Sequence, residues 1–153
     1  MSAVLNIYEK TSKYPGGKRF FSWAVCVKAP YFGTIRPRFE ELRKGYGRIF
    51  MKKRRGVQNH LKSVHAIAMC NLAELVAGTT VDASLPKGFR WIPRSMTVQY
   101  LKIARTDLVA QCTVPDRQWQ DGEDFPAQVS VTDTEGVEVF TATIEMYISA
   151  VKG

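Results

Sequence analysis

At 153 residues, 45% apolar and 24% charged, the chain has the size and composition of one globular domain with a sizeable core. Its longest apolar run, Phe20 to Val27, is far short of the ~20 residues of a bilayer span and is interrupted by Ser22; Met1 to Lys10 lacks the basic-then-apolar order of a signal peptide. A net charge of +8 and a pI near 9.6 favour anionic partners, but nucleic acid is not expected among them, because neither interleaved exposed aromatics nor a recognition helix can be read in the sequence.

Ser2 to Lys13 reads as a short helix with Val4, Leu5 and Tyr8 on one side, broken by Tyr14-Pro15-Gly16-Gly17. Phe20, Trp23, Ala24 and Val27 then recur at helical spacing until Pro30 stops them. Residues 34–44 stay open: Ile35, Pro37 and Phe39 alternate like a strand, but Glu40-Glu41-Leu42 breaks the period. Lys44-Gly45 reads as a turn and Tyr46 to Lys53 as a strand. A helix from about Ser63 to Ala77 follows, with Gly78 as its stop.

The remainder reads as β. Arg94 to Ile103 puts Met96, Val98 and Tyr100 on one parity, and Leu108 to Val114 groups Leu108, Ala110 and Cys112. Ala127, Val129 and Val131 alternate with polar neighbours, and Thr134-Glu135-Gly136 turns into a long last strand, Val137 to Ser149. Strands segregated around a single long helix predict an α+β fold with an antiparallel sheet. That helix is apolar on nearly every side, so a curled sheet must wrap it and a second copy of the chain would cover what remains. Cys26, Cys70 and Cys112 are odd in number and lie far apart in apolar segments, as expected of free buried thiols in a reducing cytoplasm.

The segment Asn59 to Glu74 carries the candidate chemistry. It reads as a loop entering the apolar helix, and Glu74 is the helix's only acid; a buried carboxylate is costly unless paired or protonated. Structural readings of Glu74 also stand: escape at the helix end, pairing with a basic residue, or a hydrogen bond to Asn71 three positions earlier. His60 and His65 without a neighbouring Cys or carboxylate cluster give no zinc pattern, so no metal is expected. Cys70 lies about 140° round the helix from His65 and does not face it, and Ser63 lacks a nucleophile elbow.

Asn59 in the loop, His65-Ala66 at the helix start, and Glu74 nine positions after His65 form a pattern that, with the element order, resembles the hotdog fold. Within that fold it looks like the phenylacetate-pathway and 4-hydroxybenzoyl-CoA type of acyl-CoA thioesterase, in a little-characterised bacterial branch with helical additions before the fold. The family motif has Asn or Gln in the loop, His-Gly at the helix start, and Asp or Glu nine residues on. The resemblance divides the chain into an N-terminal helical extension, residues 1–33, and a hotdog domain, residues 34–153. Ala66 replaces the family's glycine, and Ile67 stands where a second glycine is frequent; both side chains narrow the approach to the helix start.

Thioester hydrolysis needs a polarised carbonyl and an activated water or nucleophile. Unpaired N–H groups and the dipole at a helix amino terminus meet the first need, and Ala66 lies in that first turn. A carboxylate meets the second, with Glu74 as base or nucleophile. Asn59 would position the thioester or the water, and His65 would orient the helix start rather than carry protons. Nine residues turn through about 900° and advance ~13 Å, so Glu74 points away from His65. One helix is unsuited to present both groups to one carbonyl; the resemblance implies a homodimer, or a dimer of dimers, with the site shared between subunits. It also implies acyl-CoA or an acyl carrier thioester as substrate and no cofactor, coenzyme A being part of the substrate. Lys52, Lys53, Arg54 and Arg55, otherwise a solvated run, are expected near the mouth where they would meet carrier phosphates, and Asn71 and Gly78 are further candidates for substrate contact. The alternative function is a hotdog protein that binds acyl thioesters or fatty acyl groups without hydrolysing them, a reading favoured by Ala66-Ile67.

Overall fold

The computed structural model describes residues 2–151. Helix α1 (Ala3–Thr11) starts where the Leu5 N–H donates to Ser2 Oγ at 3.1 Å, and buries Leu5 and Tyr8. Helix α2 (Gly17–Lys28) buries Phe21 and Ser22 and leaves Phe20, Trp23 and Val27 exposed. The apolar stripe read from the sequence is thus the outward face of α2, while the inward contact is narrow. Phe21 packs edge-on against Tyr8 and Phe39, with ring centroids 5.1 and 4.9 Å apart.

After a 3-10 turn (Pro30–Ile35) come β1 (Arg38–Arg43) and β2 (Tyr46–Met51), then a short 3-10 turn (Arg55–Val57) and the long helix α3 (Ala66–Ser84). Strands β3 (Phe89–Tyr100), β4 (Leu108–Thr113), β5 (Glu123–Thr132) and β6 (Glu138–Ala150) complete one antiparallel sheet in the order β1-β2-β4-β5-β6-β3. The fold is the predicted α+β arrangement: inward side chains such as Ile49, Ala110, Val131 and Ile144 meet Leu72, Val76 and Val81 of α3, all essentially inaccessible to solvent.

The region left open in the sequence is β1. A bulge between Phe39 and Glu41 shifts its register, which sets both Phe39 and Leu42 inward and destroys the two-residue period. The outer side of β1 is covered by α2, whose Ser22 Oγ accepts the Phe39 N–H at 2.9 Å. This shields one sheet edge. The other edge, β3, stays open: among the described residues its 12 residues pair only with β6. It begins at Phe89 rather than Arg94, because a bulge between Pro93 and Ser95 accommodates the proline in an edge strand.

Gly78 does not end α3, which continues to Ser84. A Cβ on Gly78 would stand 2.5 Å from the Trp91 ring, so glycine serves a close helix–strand approach there. The hydroxyls in the last turns are satisfied internally, those of Thr79, Thr80 and Ser84 donating to the carbonyls of Leu75, Val76 and Thr80, whereas Oδ2 of Asp82, a second acid that the longer helix takes in, is buried without a partner. At its full 19 residues α3 is long and apolar enough to cross a membrane, contrary to the sequence scan, but most of it is buried within the sheet.

Of the three cysteines, all free, Cys112 is buried and Cys26 and Cys70 are half-buried. Burial pushes the Cys112 thiol up to about 12, against a smaller opposing effect of its Thr80 hydrogen bond. The folded chain therefore keeps a proton that the unfolded chain loses near the ordinary thiol value of 9.0. Between those values the unfolded state binds fewer protons, so this contribution to stability is complete below pH 9 and is lost as the pH rises towards 12. Alkaline unfolding of Cys112→Ala should be shallower than wild type across that window; parallel curves would exclude the linkage.

Candidate active site at the start of the central helix

The loop before α3 is closed by Asn59. Its Oδ1 accepts the N–H groups of Leu61 at 2.9 Å and Ser63 at 3.2 Å, its Nδ2 donates to Ser63 Oγ at 2.9 Å, and its own N–H donates to the Ser63 carbonyl at 2.9 Å. Lys62 takes a positive φ of 60° inside this turn. Asn59 therefore acts on the site by shaping its loop. The neighbouring amide, Gln58, makes no side-chain hydrogen bond among the described residues and lines a cleft of about 170 Å³ at the helix start with His65, Ile67, Ala68 and Asn71. Sequence reasoning passed over Gln58; the signal was a second amide adjacent to the first.

His65 is the N-cap of α3. Its N–H donates to the Val57 carbonyl at 2.8 Å, anchoring the entry, and its Nδ1 accepts the Ile67 N–H at 3.0 Å. With Nδ1 used as acceptor, a neutral ring carries its proton on Nε2. The His65 carbonyl accepts the N–H groups of Ala68 and Met69. Of the four free donors that open any helix, three are thus occupied. Ala66 N–H is the one without an acceptor among the described residues. It points from the positive end of a 19-residue helix, a position suited to a developing oxyanion. The exposed Ile67 side chain stands beside it.

Glu74 is half-buried and has neither a hydrogen bond nor an ion pair among the described residues. The possible Asn71 partnership is not made: Asn71 Nδ2 turns to Thr34 Oγ1 at 3.1 Å, and its buried Oδ1 is unpartnered. Four residues to either side of Glu74, Cys70 Sγ lies 3.4 Å from the Tyr100 hydroxyl and Gly78 abuts the Trp91 ring. Glu74 hence looks towards the middle of β3, the open edge, and away from the Ala66 N–H of its own helix. Gly78 is buried beneath Trp91, and Asn71 belongs to the helix-start cleft.

The basic run is divided. Lys53 turns to the 105–107 loop, its N–H donating to Asp107 Oδ1 and its Nζ to the Arg105 carbonyl, both at 2.8 Å. Arg55 is exposed. Lys52 and Arg54 line a separate cleft with arginines from α2 and β1, and an Arg54 amino group donates to the Thr34 carbonyl.

One antiparallel sheet curled around a central helix, with a motif-bearing loop at the helix start, is the hotdog fold. The sequence profile of a domain family of unknown function, DUF4442, matches residues 17–148, and the chain belongs to that family. A crystal structure from structural genomics is 41% identical, covering 97% of this chain and 99% of its own, with a TM-score of 0.86. A protein of unknown function from Pseudomonas aeruginosa, described as a probable thioesterase, is 22% identical over 90% of this chain and 97% of its own, with a TM-score of 0.76. A Streptococcus mutans protein bound to acetyl CoA is 19% identical over 75% of this chain and 90% of its own, with a TM-score of 0.63. No curated protein matches the chain by sequence.

Proposed function

We propose that the protein is an acyl-CoA thioesterase working as a cytoplasmic homodimer, with the helix start of one copy and Glu74 of the other forming each site. The observation that carries this reading is the pairing of two unclaimed groups: the Ala66 N–H, alone among the first-turn donors, and the Glu74 carboxylate. The first polarises the thioester carbonyl, and the second activates water or attacks. Asn59 holds the loop, His65 locks the first turn, and the Gln58 amide is free to meet the substrate. The fold likeness to a probable thioesterase and to a protein bound to acetyl CoA supports the substrate class. Hydrolysis of a panel of acyl-CoAs by the purified protein tests the assignment.

A 12-residue edge strand opposite Glu74, hydrogen-bonded on one side only among the described residues, supports the dimer. Pairing β3 with its copy would satisfy the edge and set the two central helices side by side, antiparallel, which joins Ala66 of each to Glu74 of the other. Light scattering at micromolar concentration is expected to give twice the 17.3 kDa chain mass; a monomer would leave each site incomplete and count against the mechanism.

One observation favours a second reading, binding of acyl thioesters without turnover. The Ile67 side chain, 54% exposed, crowds the approach to Ala66 N–H. Tight acyl-CoA binding with no release of free thiol across the panel would select it.

A further inference from the structure

On the outer face of the sheet, at the open end of the β1–β2 hairpin, a cleft of about 350 Å³ is surrounded by Arg19 of α2, Arg36, Arg38 of β1, Lys52 and Arg54, with the Phe50 ring in its wall. No carboxylate lines it. Of the five cations only Arg38 has an ion pair among the described residues, a 3.5 Å contact to Glu40, whose other oxygen is held by Arg48 at 2.8 Å. Gathering like charges in this way opposes folding. Two further local costs lie in the same cleft. Arg36 adopts a left-handed backbone, φ 48° and ψ 61°, which residues with a Cβ avoid. Arg54 Nε is buried without an acceptor. Burial and, after it, the neighbouring Arg36 charge pull the Arg54 guanidinium below its ordinary value, although it stays charged.

We propose that this cleft binds the nucleotide phosphates of coenzyme A and so anchors the carrier while the thioester lies at Ala66. The inference rests on the acyl-CoA reading above and adds where its charged end is held. Several phosphate groups on one compact ligand match five cations around one concavity, and the Arg38 guanidinium, stacked over the Phe50 ring with its carbon 4.3 Å from the centroid, offers a planar cation to a base. The surface of a folded acidic partner is convex and spreads its charge, which fits the cleft less well. The distance also suits one ligand. Arg54 lies three steps along the chain, at most ~11 Å, from Val57, whose carbonyl accepts the His65 N–H. Thr34 links the two clefts, since its carbonyl accepts from Arg54 and its hydroxyl from Asn71. Arg19 gives α2, otherwise a cover for a sheet edge, a part in binding.

The test uses calorimetric binding of coenzyme A and of pantetheine, which lacks the nucleotide, to the wild-type chain, Arg36→Gly and Lys52→Glu. Coenzyme A affinity should fall as salt rises, and each substitution should weaken it about tenfold or more, the usual scale for a charge-assisted contact. Pantetheine binding should not change. Arg36→Gly should also raise Tm, because glycine takes the left-handed conformation freely, so an affinity loss there cannot be damage to the fold. Absent coenzyme A binding, unchanged affinity in both variants at low salt, or an equal loss for pantetheine would overturn the cleft assignment. Turnover separates the two readings. Variants that hydrolyse acyl-CoA with unchanged KM would remove the cleft and keep the thioesterase. Coenzyme A held through the cleft by a chain that hydrolyses no thioester would remove the thioesterase and keep the cleft.

Discussion

Replacing Glu74 with glutamine is expected to lower kcat for acyl-CoA by about 10²-fold or more, the scale for losing an acid–base group, with little change in Tm. The substitution keeps the size of the side chain and removes only its basic oxygen. Because the carboxylate has no hydrogen-bond or ion-pair partner among the described residues, no buried group is left orphaned, and the stability change should stay within about 0.5 kcal/mol. KM should move little, since the amide still fills the same space, so that kcat and kcat/KM fall together, the mark of an interaction made in the transition state. If Glu74 attacks rather than activates water, quenched wild-type reactions should contain a chain heavier by one acyl group. Undiminished turnover accompanied by a lower Tm would instead make Glu74 a structural residue, and the binding-only reading would replace the hydrolase.

The parts of this arrangement that were legible in the sequence are those governed by a simple period or a short motif. Strands β4 and β5 keep strict alternation, Leu108/Ala110/Cys112 and Ala127/Val129/Val131 all pointing inward. The β5–β6 turn follows from its chemistry: Asp133 Oδ1 accepts the N–H groups of Glu135 and Val137, and Gly136 takes φ 78°. The start of α3 is legible to within a few residues: the helix expected from about Ser63 begins at Ala66, with His65 as its cap. What was not legible depends on tertiary partners. Nothing local distinguishes a glycine that caps a helix from one that admits the Trp91 ring, so the end of α3 was set too early at Gly78. The bulge in β1 exists because Phe39 and Leu42 both find space against α3 and α2, which the pattern Phe39-Glu40-Glu41-Leu42 does not announce. Likewise the basic run reads as one patch, yet its residues part: Lys53 binds the 105–107 loop, whereas Lys52 and Arg54 join Arg19, Arg36 and Arg38, which lie far off in sequence. In α2 the helical period of Phe20, Trp23 and Val27 reveals the helix but not which side has a partner, and these three residues lie on its exposed face.

The largest effect on stability is expected at Gly47, where β2 passes directly over α3. Gly47 is buried between Leu42 of β1 and Cys112 of β4, and a Cβ there would fall on Thr80 Oγ1, with Thr80 Cβ at 3.4 Å and Val76 Cγ2 at 3.5 Å. Thr80 is wholly buried and its hydroxyl donates to the Val76 carbonyl at 2.6 Å, so the obstacle is not a mobile chain end that can swing aside. Gly47→Ala must therefore push the strand and helix apart, at about 1–3 kcal/mol for overpacking. In a domain of this size each kcal/mol shifts Tm by about 2–4 °C, so a fall of roughly 2 to 12 °C is expected in thermal unfolding. Thr80→Ala opens the space that the new methyl requires, and it leaves the Val76 carbonyl with its ordinary helical partner. The double variant should therefore recover most of the lost Tm even though Thr80→Ala alone is destabilising, a favourable coupling of the kind that contacting residues show. Additive losses in that cycle would mean that the two backbones do not meet at Gly47, and the tight seating of α3 on β2, which fixes where the helix start and Glu74 lie relative to the sheet, would have to be abandoned.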